Sequence, residues 1–285
     1  MTTMNKKLHV SFLLMLALIL CVATCRAADT RKTTNYSFSG FTSISASGSV
    51  HVVVMQGPVT SVRVVESLNP DVVTIVDQQG SRLKVYTKIL KKKVRMKSGE
   101  EPIAYVTLPH LTAIEASGAV HMKLDNMKTH DLSITLSGAS NMQGKDLKSD
   151  NLRINCSGAS VMTMGRMDCQ KLHATCTGAS KMNGQLHGNE AKIENSGASK
   201  VEMSVNTRQL ELINSGASNS DITFKGRRLS ARNTGAGKVD LDVDCEELTA
   251  QNSGAAKFTI RGTADQTNID ASGASKINTS RLNKF

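Results

Sequence analysis

A tetrapeptide, Ser-Gly-Ala-Ser or a close variant, returns along most of this chain in strict register. Its glycines are Gly118, Gly138, Gly158, Gly178, Gly197, Gly216, Gly235, Gly254 and Gly273, spaced by 20 residues three times and then by 19 residues five times. An earlier copy, Ala46-Ser47-Gly48-Ser49, precedes Gly118 by 70 residues. A unit this short cannot bury a core alone, so successive units must stack.

The surroundings of each glycine identify the unit. Six residues before it stands Leu132, Leu152, Leu172, Leu210, Leu229 or Leu248, and four before it Ile114, Ile134, Ile154, Ile193, Leu212 or Ile269. Four after it stands Met122, Met142, Met162, Met182, Val201, Val239, Phe258 or Ile277. Apolar residues fall on even offsets and polar ones mostly on odd offsets, which is the period of a strand with one buried face. Helical spacings of three and four are missing. The repeat is also short for a propeller blade or a helix pair. These features predict an all-β fold, a parallel β-helix (β-solenoid) with coils of 19–20 residues. At about 4.8 Å per coil the regular part would be roughly 38 Å long.

Four domains follow: a signal peptide over 1–27, a flexible N-terminal segment over 28–40, an irregular N-terminal β region of the solenoid over 41–110, and regular repeats over 111–285. The leader has a basic start at Lys6, Lys7 and His9 and an apolar stretch from Val10 to Val22, shorter than the roughly 20 residues a membrane span needs. Cleavage after Ala27 leaves 32 basic against 24 acidic residues, a net charge of +8. Lipidation at Cys25 is the alternative to simple cleavage. Within 41–110, Val50–Met55, Ser61–Glu66, Val72–Asp77, Leu83–Lys88 and Ile103–Leu108 read as strands, with a turn at Gln79-Gly80. The 70 residues between Gly48 and Gly118 have room for about three and a half coils, and are expected to start or cap the solenoid.

Several constellations are candidates for chemistry. Lys181, Lys200, Lys238, Lys257 and Lys276 all stand three after a glycine, with Asn219 interrupting the row. Stacked, they would form a basic stripe for a repeating polyanion such as an acidic glycan, or a solvated edge that resists aggregation. Lys88, Lys91, Lys92, Lys93, Arg95 and Lys97 form a second basic run, read as a charged loop or as an attraction for an anionic envelope surface. Asn195, Asn214, Asn233 and Asn252 stand two before their glycines and predict a structural amide ladder. Cys156 and Cys176 share that position in adjacent coils, as stacked thiols or a strained disulfide. Asp240, Asp242 and Asp244 alternate along a strand, as an acidic face or a calcium site. No C-x-x-C pair supports zinc. The histidines are scattered; His51 and His121 share a motif position, but the long insertion is expected to separate them. Catalytic residues: none; metal: none; cofactors: none. Aromatic residues are 3% of the chain and Trp is absent, which counts against base-stacking platforms.

The stretches Phe41-Thr42-Ser43-Ile44-Ser45-Ala46-Ser47-Gly48-Ser49-Val50 and Tyr105-Val106-Thr107-Leu108-Pro109-His110-Leu111, together with the Ser-Gly-Ala-Ser units, resemble the GIN-domain family of auto-transporter adhesin heads, found mainly in exported proteins of Bacteroidetes. The resemblance covers about Asn35 to Lys276. It implies a right-handed parallel β-helix in an exported Gram-negative protein, and it carries no catalytic residues. The expectation is a non-enzymatic cell-envelope protein, periplasmic or on the cell surface, that binds a glycan or another envelope or host component. No nucleic acid and no transmembrane span are expected. A β-helix polysaccharide-active enzyme and a purely structural periplasmic protein are the alternatives.

Overall fold

The computed structural model describes residues 31–91, 94 and 97–284. The expected signal peptide and Cys25 lie outside these residues, as do Lys92, Lys93 and Arg95 of the basic run. The strands are β1 (Thr33–Tyr36), β2 (Ser43–Gly48), β3 (His51–Gln56), β4 (Ser61–Val65), β5 (Val72–Gln79), β6 (Arg82–Ile89), β7 (Ile103–Leu108), β8 (Ala113–Gly118), β9 (His121–Leu124), β10 (Met127–Lys128), β11 (Asp131–Leu136), β12 (Asn141–Cys156), β13 (Val161–Cys176), β14 (Lys181–Asn195), β15 (Lys200–Asn214), β16 (Asn219–Asn233), β17 (Lys238–Asn252), β18 (Lys257–Ala271) and β19 (Lys276–Lys284). They form one sheet that winds as a parallel β-solenoid.

Each coil has three faces, and side-chain parity shows where it bends. In β13, Val161–Met164 is the first face, Met167–Cys169 the second and Leu172–Cys176 the third. Gly165-Arg166 and Gln170-Lys171 are exposed pairs where the in-out alternation resets, so they are corners. The third corner is the Gly-Ala-Ser turn. The change from 20 to 19 residues is a one-residue deletion at the first corner, where the register shifts between Thr163 and Arg166. The inward side chains of all coils join in one core. Met122, Met142, Met162 and Met182 stack in register at its centre and are buried. Burying a large apolar side chain is worth about 1.5–3 kcal/mol, and a coil such as β16 contributes Ile222, Phe224 and Leu229.

The glycine corner needs glycine. Gly158 has φ +66°, and a Cβ there would lie 2.7 Å from the Gly138 carbonyl oxygen. The next residue continues the ladder, with Ala159 N–H donating to Gly138 O at 2.8 Å. Inside the turn the asparagines run as a chain. Asn195 Nδ2 donates to Asn214 Oδ1 at 3.0 Å, Asn214 to Asn233 at 2.7 Å, and Asn233 to Asn252 at 3.1 Å. Each amide also holds its own turn, as Asn214 Nδ2 does on Ser218 O at 3.1 Å. All four are buried, so these bonds satisfy groups that water cannot reach. Cys156 and Cys176 occupy the same column and are free thiols, as are Cys169 and Cys245; all four are buried. The hydrogen bond to Cys176, then burial, push the Cys156 thiol far above the ordinary range. Burial pushes Cys169 up to about 12 and Cys245 to about 11.

The N-terminal region departs from expectation in topology. Its strands and the turn at Gly80 fall where the sequence reading puts them, but the insertion does not hold three and a half coils. β2 pairs directly with β8 and β3 with β9, so Gly48 stacks on Gly118 across 70 residues. The insertion turns back instead. β6 stacks on β2 and β7 on β3, making a partial coil outside the first one, and β5 and β4 close it by antiparallel pairing with β6 and β7. Separation of His51 from His121 is likewise corrected, since their rings lie 4.8 Å apart. The expected flexible segment 28–40 is corrected over Thr33–Tyr36, which forms β1 and pairs antiparallel with β4. A polar strand can be held there because it borrows a partner edge, not because of its own sequence.

Three outcomes test this packing. Gly158→Ala should lose about 1–3 kcal/mol from left-handed backbone strain, plus the cost of the crowded carbonyl. Gly80→Ala, with φ +58° but nothing within 4 Å of the added Cβ, should lose only the strain, so denaturant unfolding of the two variants separates the terms. Asn214→Ala should cost about 2–4 kcal/mol by leaving buried partners unpaired, whereas Gln209→Ala on the surface should cost under about 0.5 kcal/mol; equal losses would refute the ladder's role. Finally, the thiols of a chain starting at residue 28 should resist maleimide at pH 8 until denatured. Prompt labelling of the native protein would contradict their burial.

Candidate functional site

Because coils stack in register, every outward position becomes a column, and the functional surface is a set of columns. Two columns flank a groove that follows the stacking direction. The corner column reads Asp131, Asn151, Lys171, Glu190, Gln209, Arg228, and the third-face column reads Ser133, Arg153, His173, Lys192, Glu211, Ser230. Between them runs a depression of about 740 Å³, floored by the strand segments that carry buried Leu132, Leu152, Leu172 and Leu210. Six coils at about 4.8 Å give it a length of roughly 24 Å.

The groove's charges are arranged in pairs. Asn151 Nδ2 donates to Asp131 Oδ1 at 2.7 Å, and Lys171 Nζ lies 3.2 Å from Glu190. Lys192 lies 3.0 Å from Glu194 and 3.7 Å from Glu211, while His173 Nε2 lies 3.4 Å from Glu194. The hydrogen bond to Lys192 lowers the Glu194 carboxyl, and the reciprocal bond raises Lys192. Arg228 makes a two-pronged contact to Glu247, at 2.7 and 3.0 Å, which raises it. Arg153, second in its column, makes no ion pair among the described residues. Both rails therefore present donors and acceptors at each coil step, with nearly balanced charge. That suits hydroxyl-rich ligands better than polyanions.

The lysine stripe lies on the first face, in one column in the order Lys181, Lys200, Asn219, Lys238, Lys257, Lys276. Beside it stands an acidic column two residues on. Glu202 receives Lys181 at 3.0 Å and also Lys200, and Asp240 receives Lys238. Lys257 and Lys276 stand beside Thr259 and Asn278 instead. The three aspartates go to three different cations, Asp240 to Lys238, Asp242 to Arg261 at 2.9 Å and Asp244 to Lys225 at 2.9 Å. Among the described residues no group of three or more His, Cys, Asp or Glu side chains is placed to hold a metal ion. The groove was missed in the sequence because its columns mix residue types, whereas the lysine row repeats one letter. The mixed columns at five and seven residues before each glycine were the available signal.

A second depression lies at the N-terminal end, where Arg63 sits 4.2 Å from the centre of the Tyr105 ring and Tyr36 stacks on Phe38 at 5.6 Å. It gathers aromatics that are scarce elsewhere.

Comparison with known proteins places this architecture. Two crystal structures from Parabacteroides distasonis have similar folds. One, described as a putative lipid binding protein, has a TM-score of 0.53 and 16% identity over 90% of this chain and 98% of that one. The other, described as a putative adhesin, has a TM-score of 0.53 and 16% identity over 88% and 98%. At such identity they establish the fold alone. No curated protein matches the chain. A sequence model described as "Putative auto-transporter adhesin, head GIN domain" matches residues 40–208 and 204–284. With nearly every coil inside those matches, the chain belongs to the GIN-domain family of adhesin-like proteins.

Proposed function

We propose that this chain is a non-enzymatic, exported cell-envelope protein that binds an extended glycan along the third-face groove. The observation that carries the reading is the groove itself, a straight channel of roughly 24 Å whose rails offer hydrogen-bonding groups at every coil step. A sugar polymer repeats along one axis, and so do the columns. Paired charges support the same choice, because each carboxylate and its cation are already held in place and can accept or donate to hydroxyl groups without net charge on the ligand. Membership in an adhesin-like family supports exposure to the outside of the cell.

A surface of this kind would recognise a neutral or zwitterionic glycan by geometry. The lysine stripe would contribute less, since Lys181, Lys200 and Lys238 already have carboxylate partners.

The test is a glycan array probed with the chain from residue 28 onward, followed by calorimetry on the best ligand. Arg153→Ala with Lys192→Ala should weaken binding by roughly tenfold or more, about 1.4 kcal/mol. Lys257→Gln with Lys276→Gln should change it by less than about threefold at moderate salt. The reverse ranking would move the binding face to the lysine stripe. Protease shaving of intact cells, with a periplasmic protein as control, tests the exposure; if lysed cells are cut and intact cells are not, the adhesin reading falls.

A further inference from the structure

The structure holds a second kind of surface that the groove does not use. Three segments converge at the N-terminal end of the solenoid, at the open end of the β5–β6 hairpin. Leu90 N–H donates to Asp71 O at 2.9 Å, and Leu68 N–H donates to Glu100 O at 3.1 Å. Lys91 Nζ reaches Asp71 at 2.8 Å. On this corner Leu68, Ile89 and Leu90 are 59%, 54% and 57% exposed, and they are three of the five exposed large hydrophobics among the described residues. A fourth, Val73, lies beside them on β5, opposite Lys88 on β6. Scattered exposed leucines need no explanation, but a group at one corner does.

Lys88, Lys91 and Lys97 flank the group, beside the acids Asp71, Glu100 and Glu101. Residues 88–97 read Lys-Ile-Leu-Lys-Lys-Lys-Val-Arg-Met-Lys, with no acidic residue. The acids nearby are already engaged. Glu100 Oε2 accepts the Lys97 N–H at 3.0 Å and Glu101 Oε2 accepts the Gly99 N–H at 2.7 Å, so both carboxylates close their own loop. Lys88 and Lys97 have no carboxylate partner among the described residues.

We propose that Leu68, Ile89 and Leu90, flanked by Lys88, Lys91 and Lys97, dock this corner on an anionic phospholipid surface. The aliphatic side chains would enter the boundary between headgroups and acyl chains while the ammonium groups meet lipid phosphates. The pairing of aliphatic and basic groups selects this occupant. A soluble polyanion would use the lysines and gain nothing from three exposed aliphatic side chains. A second copy of the chain meeting this corner face to face would bring two clusters of the same charge together.

The test is co-sedimentation of the chain starting at residue 28, which can carry no lipid on Cys25, with phosphatidylcholine vesicles and with mixed phosphatidylcholine–phosphatidylglycerol vesicles. Binding to the anionic vesicles should exceed binding to the neutral ones by roughly tenfold or more. Leu68→Ser/Ile89→Ser/Leu90→Ser and, separately, Lys88→Gln/Lys91→Gln/Lys97→Gln should each remove most of it, with unfolding midpoints near that of the parent chain because all six side chains lie on the surface. Three results would overturn the proposal: no preference for anionic vesicles, full binding by the triple serine variant (attraction by charge alone), or self-association without vesicles that the serine variant abolishes.

Discussion

The stack of glycines at one corner governs everything else in this molecule. Each glycine sits at positive φ directly against the glycine of the preceding coil, and an added Cβ would meet that backbone at about 3 Å or less, as 2.7 Å at Gly158, 2.8 Å at Gly178 and 2.6 Å at Gly254 show. Close contact keeps one residue's phase identical in every coil. Because side chains alternate with a period of two, that phase assigns the residues on either side of the glycine turn to the core or to solvent, as far as the corners where the alternation resets. The methionine stack, the asparagine chain and the outer columns are consequences of that single registration. It is also what makes position 144 or 222 inward without any further instruction: Gly144 lies beside Met164, and Ile222 stacks on Met203 and Leu241.

The corner column shows how one structural need is met by different chemistry. Asparagine works in four consecutive coils because its amide both donates up the stack and holds its own turn. In the two earlier coils Cys156 and Cys176 fill the same space with a thiol, and Ser180 Oγ donates to Cys156 O at 3.3 Å, just as Ser218 Oγ does to Asn195 O at 3.1 Å among the asparagines. The exchange is possible because the serine that follows Gly-Ala is itself buried and points inward in both halves, as Ser160, Ser180, Ser199 and Ser218 do.

The fold of the repeats was legible because parity and spacing are local properties, readable at Leu172 or Ile193 without knowing what either touches. The first coil was not. Its strands could be read from β-branched runs such as Val52-Val53-Val54, but their partners could not, because β4 and β5 run antiparallel and the chain crosses back before β8. That is why the sequence alone separates His51 from His121, whose rings are neighbours. The candidate site was legible only in part for a related reason. A row of lysines at one offset is visible in a sequence, but Glu202 between Lys181 and Lys200 changes what that row can bind, and this pairing depends on the lateral distance between columns. The groove depends on where the coil bends, and the bend appears only as two successive exposed residues, Gln170-Lys171 or Arg208-Gln209, that periodicity treats as noise.

Regularity also limits what the repeats can do. A column offers the same contact at each step, so it suits a ligand that repeats, and it cannot easily surround a single compact molecule. Chemistry that must be unique has to sit where the repeat is broken. In this chain that is the N-terminal end, where the antiparallel strands β1, β4 and β5 cover the end of the stack and two loops replace the short glycine turn. The stacked Tyr36 and Phe38, the Arg63–Tyr105 contact and the exposed Leu68, Ile89 and Leu90 are all there. A polymer lying along the regular columns would therefore meet the same contacts at each step, and would find groups without a counterpart elsewhere only where it approached that end.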